Sequence, residues 1–91
     1  MKKYNVIDLF CGCGGFSKGF EEAGYNIRFG IDMWEDAIIT YKHNFPNAQT
    51  INGDITGISA DDILKTSNLK KYEVDVIIGG CASAAVVPPA L

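Results

Sequence analysis

The sequence predicts an α/β fold, a partial parallel sheet of about four strands with helices on both faces. Three observations carry this. Short apolar runs rich in Val, Ile and Phe recur along the chain, stretches with apolar residues three and four apart separate them, and the first run hands over to its helix through a glycine-rich turn. Strands alternating with helices at this spacing require right-handed crossovers and hence a parallel sheet. At 91 residues, 47% apolar and with three prolines, the chain is one small globular domain or a piece of a larger one. A disordered tail and a collagen-like chain are excluded.

The first strand covers about residues 4–10. Val6, Ile7, Leu9 and Phe10 form the near-continuous apolar run of a strand buried on both faces. Phe16, Phe20 and Ala23 then lie at helical spacing with Lys18, Glu21 and Glu22 between them, and Gly24 stops that helix. In 25–32, Ile27, Phe29 and Ile31 alternate strictly and the run ends at Asp32, which makes it the second strand. Trp34, Ile38, Tyr41 and Phe45 mark one stripe of a second helix, with Trp34 expected to pack as part of it, and Pro46 ends it. A short strand around 48–51 leads into the turn Asn52-Gly53-Asp54. Ser59 stands three residues before Asp62, a capping-box spacing that opens a third helix through Ile63 and Leu64. Residues 74–78 form the fourth strand, closed by Gly79-Gly80. Residues 81–91 carry no charge, no aromatic ring and no period, and are expected to be a flexible tail.

Eight Lys plus Arg against eleven Asp plus Glu leave a formal charge of −3, so the chain as a whole does not attract a polyanion. The first apolar run is too short for a signal peptide or a membrane span, which points to a cytoplasmic protein with reduced thiols and no membrane contact. Cys11 and Cys13 have no second ligand pair, so no metal site is expected. His43 suits the last turn of its helix, and Lys70 and Lys71 read as a solvated loop.

Three strand ends carry groups that chemistry can use. The turn Cys11-Gly12-Cys13-Gly14-Gly15 lets the backbone approach a ligand and presents the unpaired amides of the following helix. Asp32 follows Gly14 by 18 residues, where a doubly wound nucleotide-binding fold places a carboxylate for ribose hydroxyls. Asp54 ends the third strand. All three would converge on one crevice at the carboxyl edge of the sheet.

Asp8-Leu-Phe-Cys-Gly-Cys-Gly-Gly-Phe-Ser-Lys-Gly-Phe20 closely resembles the first motif of the cytosine-5 DNA methyltransferases. The likeness continues through Gly30-Ile-Asp32, Ala37, Asn44-Phe45, Gly53-Asp54-Ile55 and Asp75-Val-Ile-Ile-Gly-Gly80, and covers about 80 of the 91 residues. It implies a Rossmann-like S-adenosylmethionine-dependent methyltransferase fold and transfer of a methyl group from S-adenosylmethionine to cytosine in DNA. It further implies that Phe10, Gly12 and Gly14 shape the pocket for the methionine part of the cofactor, and that Asp32 holds the ribose hydroxyls. Met33 would lie against the adenine, with Asp54 and Ile55 addressing its ring and amino group. Many relatives have Glu where this chain has Asp32. Alanine at that position is expected to leave the strand end intact while losing the ribose contact.

The likeness breaks after Gly80. The family's nucleophilic cysteine, in a Gly-Gly-Pro-Pro-Cys-Gln segment, falls at Ser83 of this chain, and Cys81 comes two residues early. That is about 6–7 Å in an extended loop, against roughly 3–3.5 Å for attack. No catalytic residue is therefore assigned, and the expectation is an N-terminal, cofactor-binding half (1–80) with a non-family tail (81–91), inactive in methyl transfer by itself. DNA would be met only through a missing C-terminal portion. The alternatives are one chain of a split methyltransferase, or a non-catalytic binding or assembly module. The fourth strand would leave an apolar edge for a complementary chain or for self-association.

Overall fold

Residues 3–79 are described by a computed structural model. Gly80, Cys81, Ser83 and the rest of the 81–91 segment lie outside the described residues. In chain order the elements are β1 (Asn5–Asp8), α1 (Gly15–Glu22), β2 (Asn26–Asp32), α2 (Glu35–Asn44), β3 (Gln49–Asn52), α3 (Ala60–Ser67) and β4 (Val76–Ile78). Short 3₁₀ turns at Ile55–Gly57 and Lys71–Glu73 precede α3 and β4. The four strands pair in parallel in the order β3-β2-β1-β4. The chain steps outward from β1 to β3, then returns to place β4 on the other side of β1.

Two apolar layers follow from that path. Val6 and Ile7, neighbours on β1, are both fully buried and point to opposite faces. Val6 joins Cys11, Ile27, Ile38, Tyr41, Phe45 and Ala48 on the face that α1 and α2 cover. Ile7 joins Leu9, Phe29, Ile31, Ile55, Ile63 and Leu69 on the face that α3 covers. Helices on both faces of a parallel sheet are the outcome that the alternating pattern predicts.

The second strand departs from the simple alternation. Val6 pairs with Ile27 but Ile7 pairs with Phe29, so Arg28 is one residue too many and β2 bulges. The bulge reverses the phase of the strand: Ile27 faces α2, whereas Phe29 and Ile31 face α3. Arg28 turns its guanidinium to the C-terminal end of α3, where Nη2 donates to the Ser67 carbonyl at 3.2 Å.

Phe16, expected on the apolar stripe of α1, is 60% exposed, and Ser17 is the buried residue of that helix. The hydroxyl of Ser17 is drawn inward by polar partners on β1 and α2, which rotates Phe16 outward. Trp34, expected to pack, is 76% exposed. It precedes the first helical residue with extended backbone, off the axis that Ile38 and Tyr41 share. Helix α3 starts as its sequence predicts, with reciprocal Ser59 and Asp62 bonds of 3.1 Å each. It ends on Asn68 in the left-handed conformation, φ 57°.

No helix among the described residues is long and apolar enough to cross a membrane.

Gly30 is required by packing. Its position on β2 lies under the ring of Tyr41, and an added Cβ would stand 2.5 Å from Tyr41 Cε1. Gly30→Ala is expected to destabilise the chain by about 1–3 kcal/mol, read as a lower urea midpoint at unchanged slope. An unchanged midpoint would mean that the ring does not sit on the strand.

Candidate cofactor site

The loop after β1 lies where the strand order reverses between β1 and β4, the position at which open parallel sheets bind ligands. The turn is fixed by main-chain bonds to both neighbouring strands. Leu9 N–H donates to the Ile78 carbonyl at 2.9 Å and Cys11 N–H to the Ile31 carbonyl at 3.0 Å. Gly12 (φ 53°) and Gly14 (φ 108°) both occupy left-handed backbone. Gly14 also has no room for a side chain, because a Cβ there would overlap the Phe45 ring. At Gly12 and Gly15 a Cβ would meet nothing, so the turn presents bare backbone to open space. Gly14 caps α1 without any side-chain hydrogen bond, which leaves first-turn amides for an anionic group.

Asp32 joins this turn directly. Its Oδ2 accepts from Gly12 N–H at 2.9 Å and its Oδ1 from Trp34 N–H at 2.9 Å. Each carboxylate oxygen has two lone pairs, so both retain one that a hydroxyl pair can use. The strand end therefore does not stand apart from the turn as expected: alanine at Asp32 would also release the Gly12 and Trp34 amides. Asn52, read from sequence only as part of a turn, donates from Nδ2 to the carbonyls of Asp32 (3.1 Å) and Met33 (3.0 Å). It ties the ends of β2 and β3 together, as does Gly53 N–H to the Asp32 carbonyl at 3.0 Å.

Asp54 is exposed and caps the following 3₁₀ turn, its Oδ1 accepting from Thr56 N–H at 2.9 Å and Thr56 Oγ1 at 2.8 Å. These bonds hold its carboxyl below the ordinary value and leave Oδ2 open. Met33 is 66% exposed beside Asp32. Ile55 is 4% exposed, its side chain committed to the α3 layer, so only its main chain faces the strand ends. Phe10 is half-buried against the α3 layer, and its ring lies 3.3 Å from where a Cβ on Gly79 would be, just past the end of β4.

The two described cysteines part company. Cys11 is buried in the α2 layer, where burial pushes its thiol up to about 12, while Cys13 is exposed. Cys11 is thus held as the thiol and is inert as a nucleophile. No group of three or more His, Cys, Asp or Glu among the described residues could hold a metal ion.

A buried polar chain beneath the turn has no counterpart in the sequence reading. Asp8, Ser17 and Tyr41 are each at most 1% exposed. Ser17 Oγ donates to Asp8 Oδ2 at 2.8 Å, Ser17 Oγ and Tyr41 Oη are 2.7 Å apart, and Asp8 Oδ1 accepts from Phe10 N–H at 3.3 Å. A serine and a tyrosine on apolar helices carry no local signal of this; only the aspartate at the end of a buried strand marks a carboxylate in need of partners.

Burial raises the Asp8 carboxyl above its ordinary 3.8, outweighing the Ser17 and Phe10 hydrogen bonds that lower it. The folded chain thus binds a proton at Asp8 more readily than the unfolded chain does. Its contribution to stability falls as pH rises above 3.8 through the folded-state value. The lowered carboxyls of Asp54 and Asp62 act in the opposite sense, losing stability as pH falls, but they are common to any Asp8 variant. In urea denaturation from about pH 4 to about pH 7, Asp8→Asn is expected to gain stability relative to the native chain as pH rises. A difference independent of pH would refute the raised carboxyl.

The sequence profile of the C-5 cytosine-specific DNA methylases matches residues 4–82. The type II methyltransferase M1.HphI of Haemophilus parahaemolyticus is 43% identical over 74 residues, 81% of this chain and 19% of that protein. M.DdeI of Desulfomicrobium norvegicum is 47% identical over 78 residues, 84% of this chain and 17% of that protein. The chain thus spans less than a fifth of the length of these two relatives. Among solved structures, a putative DNA modification methyltransferase encoded within a prophage, from E. coli, has a TM-score of 0.80 at 31% identity, over 97% of this chain and 25% of that one. A mutant DNMT2 of Spodoptera frugiperda has a TM-score of 0.68 at 26% identity, over 92% of this chain and 25% of that one. The sheet order and flanking helices are those of the Rossmann-like fold typical of S-adenosylmethionine-dependent methyltransferases. With most of its length matched by the profile, this chain belongs to the C-5 cytosine-specific DNA methylase family.

Proposed function

We propose that residues 1–80 form the N-terminal, cofactor-binding half of a cytoplasmic DNA (cytosine-5-)-methyltransferase of the restriction-modification type, which moves a methyl group from S-adenosylmethionine to cytosine in DNA. The observation that carries this reading is the 2.9 Å bond between Gly12 N–H and the Asp32 carboxylate, which joins the glycine turn and the acidic strand end in one crevice. The bound cofactor would supply the electrophilic methyl group. The turn at Gly12 and Gly14, with the uncapped start of α1, would receive its methionine carboxylate, and Phe10 would pack beside that part. Asp32 would accept the ribose hydroxyls on its remaining lone pairs. Met33 would cover the adenine, while Asp54 Oδ2 and the Ile55 main chain meet its edge. The attacking cysteine and the contacts to DNA are assigned to a further part of a longer enzyme or to a second chain. The net charge of −3 and the short span relative to M1.HphI and M.DdeI favour that division.

Calorimetric titration with S-adenosylhomocysteine tests the site. Because Asp32 also holds two amides, the ribose contact is isolated by comparing that ligand with its 2′-deoxy analogue. The native chain is expected to prefer the ribose form by about tenfold or more, the worth of a charge-assisted hydrogen bond. Asp32→Ala is expected to lose that preference. Equal preference in both chains would remove Asp32 from the ribose.

One observation favours the split reading, in which a complementary chain completes the enzyme. Among the described residues β4 is three residues long, pairs with β1 on one side only, and leaves Ile77 40% exposed. An apolar edge of this kind takes up another strand. Sedimentation at micromolar concentration is expected to find self-association that Ile77→Lys reduces, and a monodisperse native monomer would count against an adhesive edge.

A further inference from the structure

We propose that Tyr41 and Ser17 are positioning residues for the glycine turn: their hydroxyls lock the Asp8 carboxylate so that its other oxygen holds the Phe10 amide. This rests on the cofactor reading above for its functional meaning, although the turn geometry it concerns stands independently. Proton counting sets the direction of the chain. Ser17 has one hydroxyl proton, and it goes to Asp8 Oδ2 at 2.8 Å. Across the 2.7 Å contact Tyr41 must therefore be the donor and Ser17 the acceptor. The phenol of α2, the hydroxyl of α1 and the carboxylate of β1 thus form one relay, and Asp8 Oδ1 accepts from Phe10 N–H at 3.3 Å.

The relay is held at its far end by packing. The Tyr41 ring lies over Gly30, packs at a tilt of 38° against Phe45 with centroids 4.7 Å apart, and approaches Gly14. Its hydroxyl has no freedom to leave Ser17 without moving that ring pair. Three polar groups in a dry layer desolvate at a cost that apolar side chains of similar size avoid, so the relay's benefit lies in orientation. It also differs from the second carboxylate on the turn. Asp32 is partly exposed and, in the proposed reading, shares its oxygens with a ligand, whereas Asp8 is sealed and engages only the protein. Asp8 is the anchor whose oxygens serve the protein alone, while those of Asp32 would also accept from ribose.

Tyr41→Phe and Ser17→Ala test this, with Ile63→Val in the opposite layer as a control that lowers stability without touching the relay. Two readouts are taken on folded chains: hydrogen exchange of the Phe10 and Gly12 amides, and affinity for S-adenosylhomocysteine. The proposal expects Tyr41→Phe to speed exchange at Phe10 and Gly12 by about tenfold relative to the control, and to weaken binding by about five- to tenfold. The double variant is expected to be no worse than Ser17→Ala, because Tyr41 acts through Ser17. Native exchange at both amides in both variants, or losses matching the control, would overturn it. If the native chain fails to bind the ligand, the cofactor reading falls, and the exchange rates still decide the relay.

Discussion

The burial of one carboxylate, Asp8, shapes this molecule more than any other single feature. It ends the central strand, faces the layer formed by α1 and α2, and is almost wholly removed from water. A carboxylate so placed must find donors or give up its charge. It finds them in Ser17, which brings the first turn of α1 onto β1, and in the Phe10 amide, which bends the chain out of the strand. Ser17 in turn requires Tyr41, and Tyr41 requires a strand beneath it without a Cβ, which is Gly30. One buried charge thus sets the rotation of α1, the seat of α2 and the residue type opposite it on β2.

The bulge in β2 is the second constraint. Without the extra residue at Arg28, Ile27, Phe29 and Ile31 would share one face, and one helical layer would lack a partner in the middle of the sheet. With it, the strand serves α2 at its start and α3 at its end, while Gly30 returns to the α2 side to receive the Tyr41 ring. A strand serving two layers with one phase change is how so short a chain builds a core on both faces.

The strand ends are tied to one another and to the glycine turn by local bonds. Asp32 reaches the glycine turn, Asn52 reaches the β2 end, and Asp54 caps its own 3₁₀ turn with one oxygen left over. The proposed function reads this arrangement as the floor of an S-adenosylmethionine site in a member of the C-5 cytosine-specific DNA methylase family. Beneath the turn, Asp8, Ser17 and Tyr41 are buried, whereas Asn52 and Asp54 at the strand ends are exposed.

The sequence alone determined the parallel α/β layers, the approximate extents of strands and helices, the glycine turn after β1 and the Ser59 capping box. These rest on local periodicity, on backbone demands of glycine and on caps, all of which act between residues close in the chain. The motif residues likewise pointed to the family before any geometry was known. Only the tertiary structure decided the phase change at Arg28, the outward turn of Phe16, the inward turn of Ser17 and the second duty of Asp32 on the Gly12 amide. Each of these depends on a partner distant in sequence: Asp8 with Ser17 and Tyr41, Gly12 with Asp32, Arg28 with Ser67. A hydrogen bond or ring contact across 9 to 39 residues leaves no local period, because it is fixed by how the layers meet.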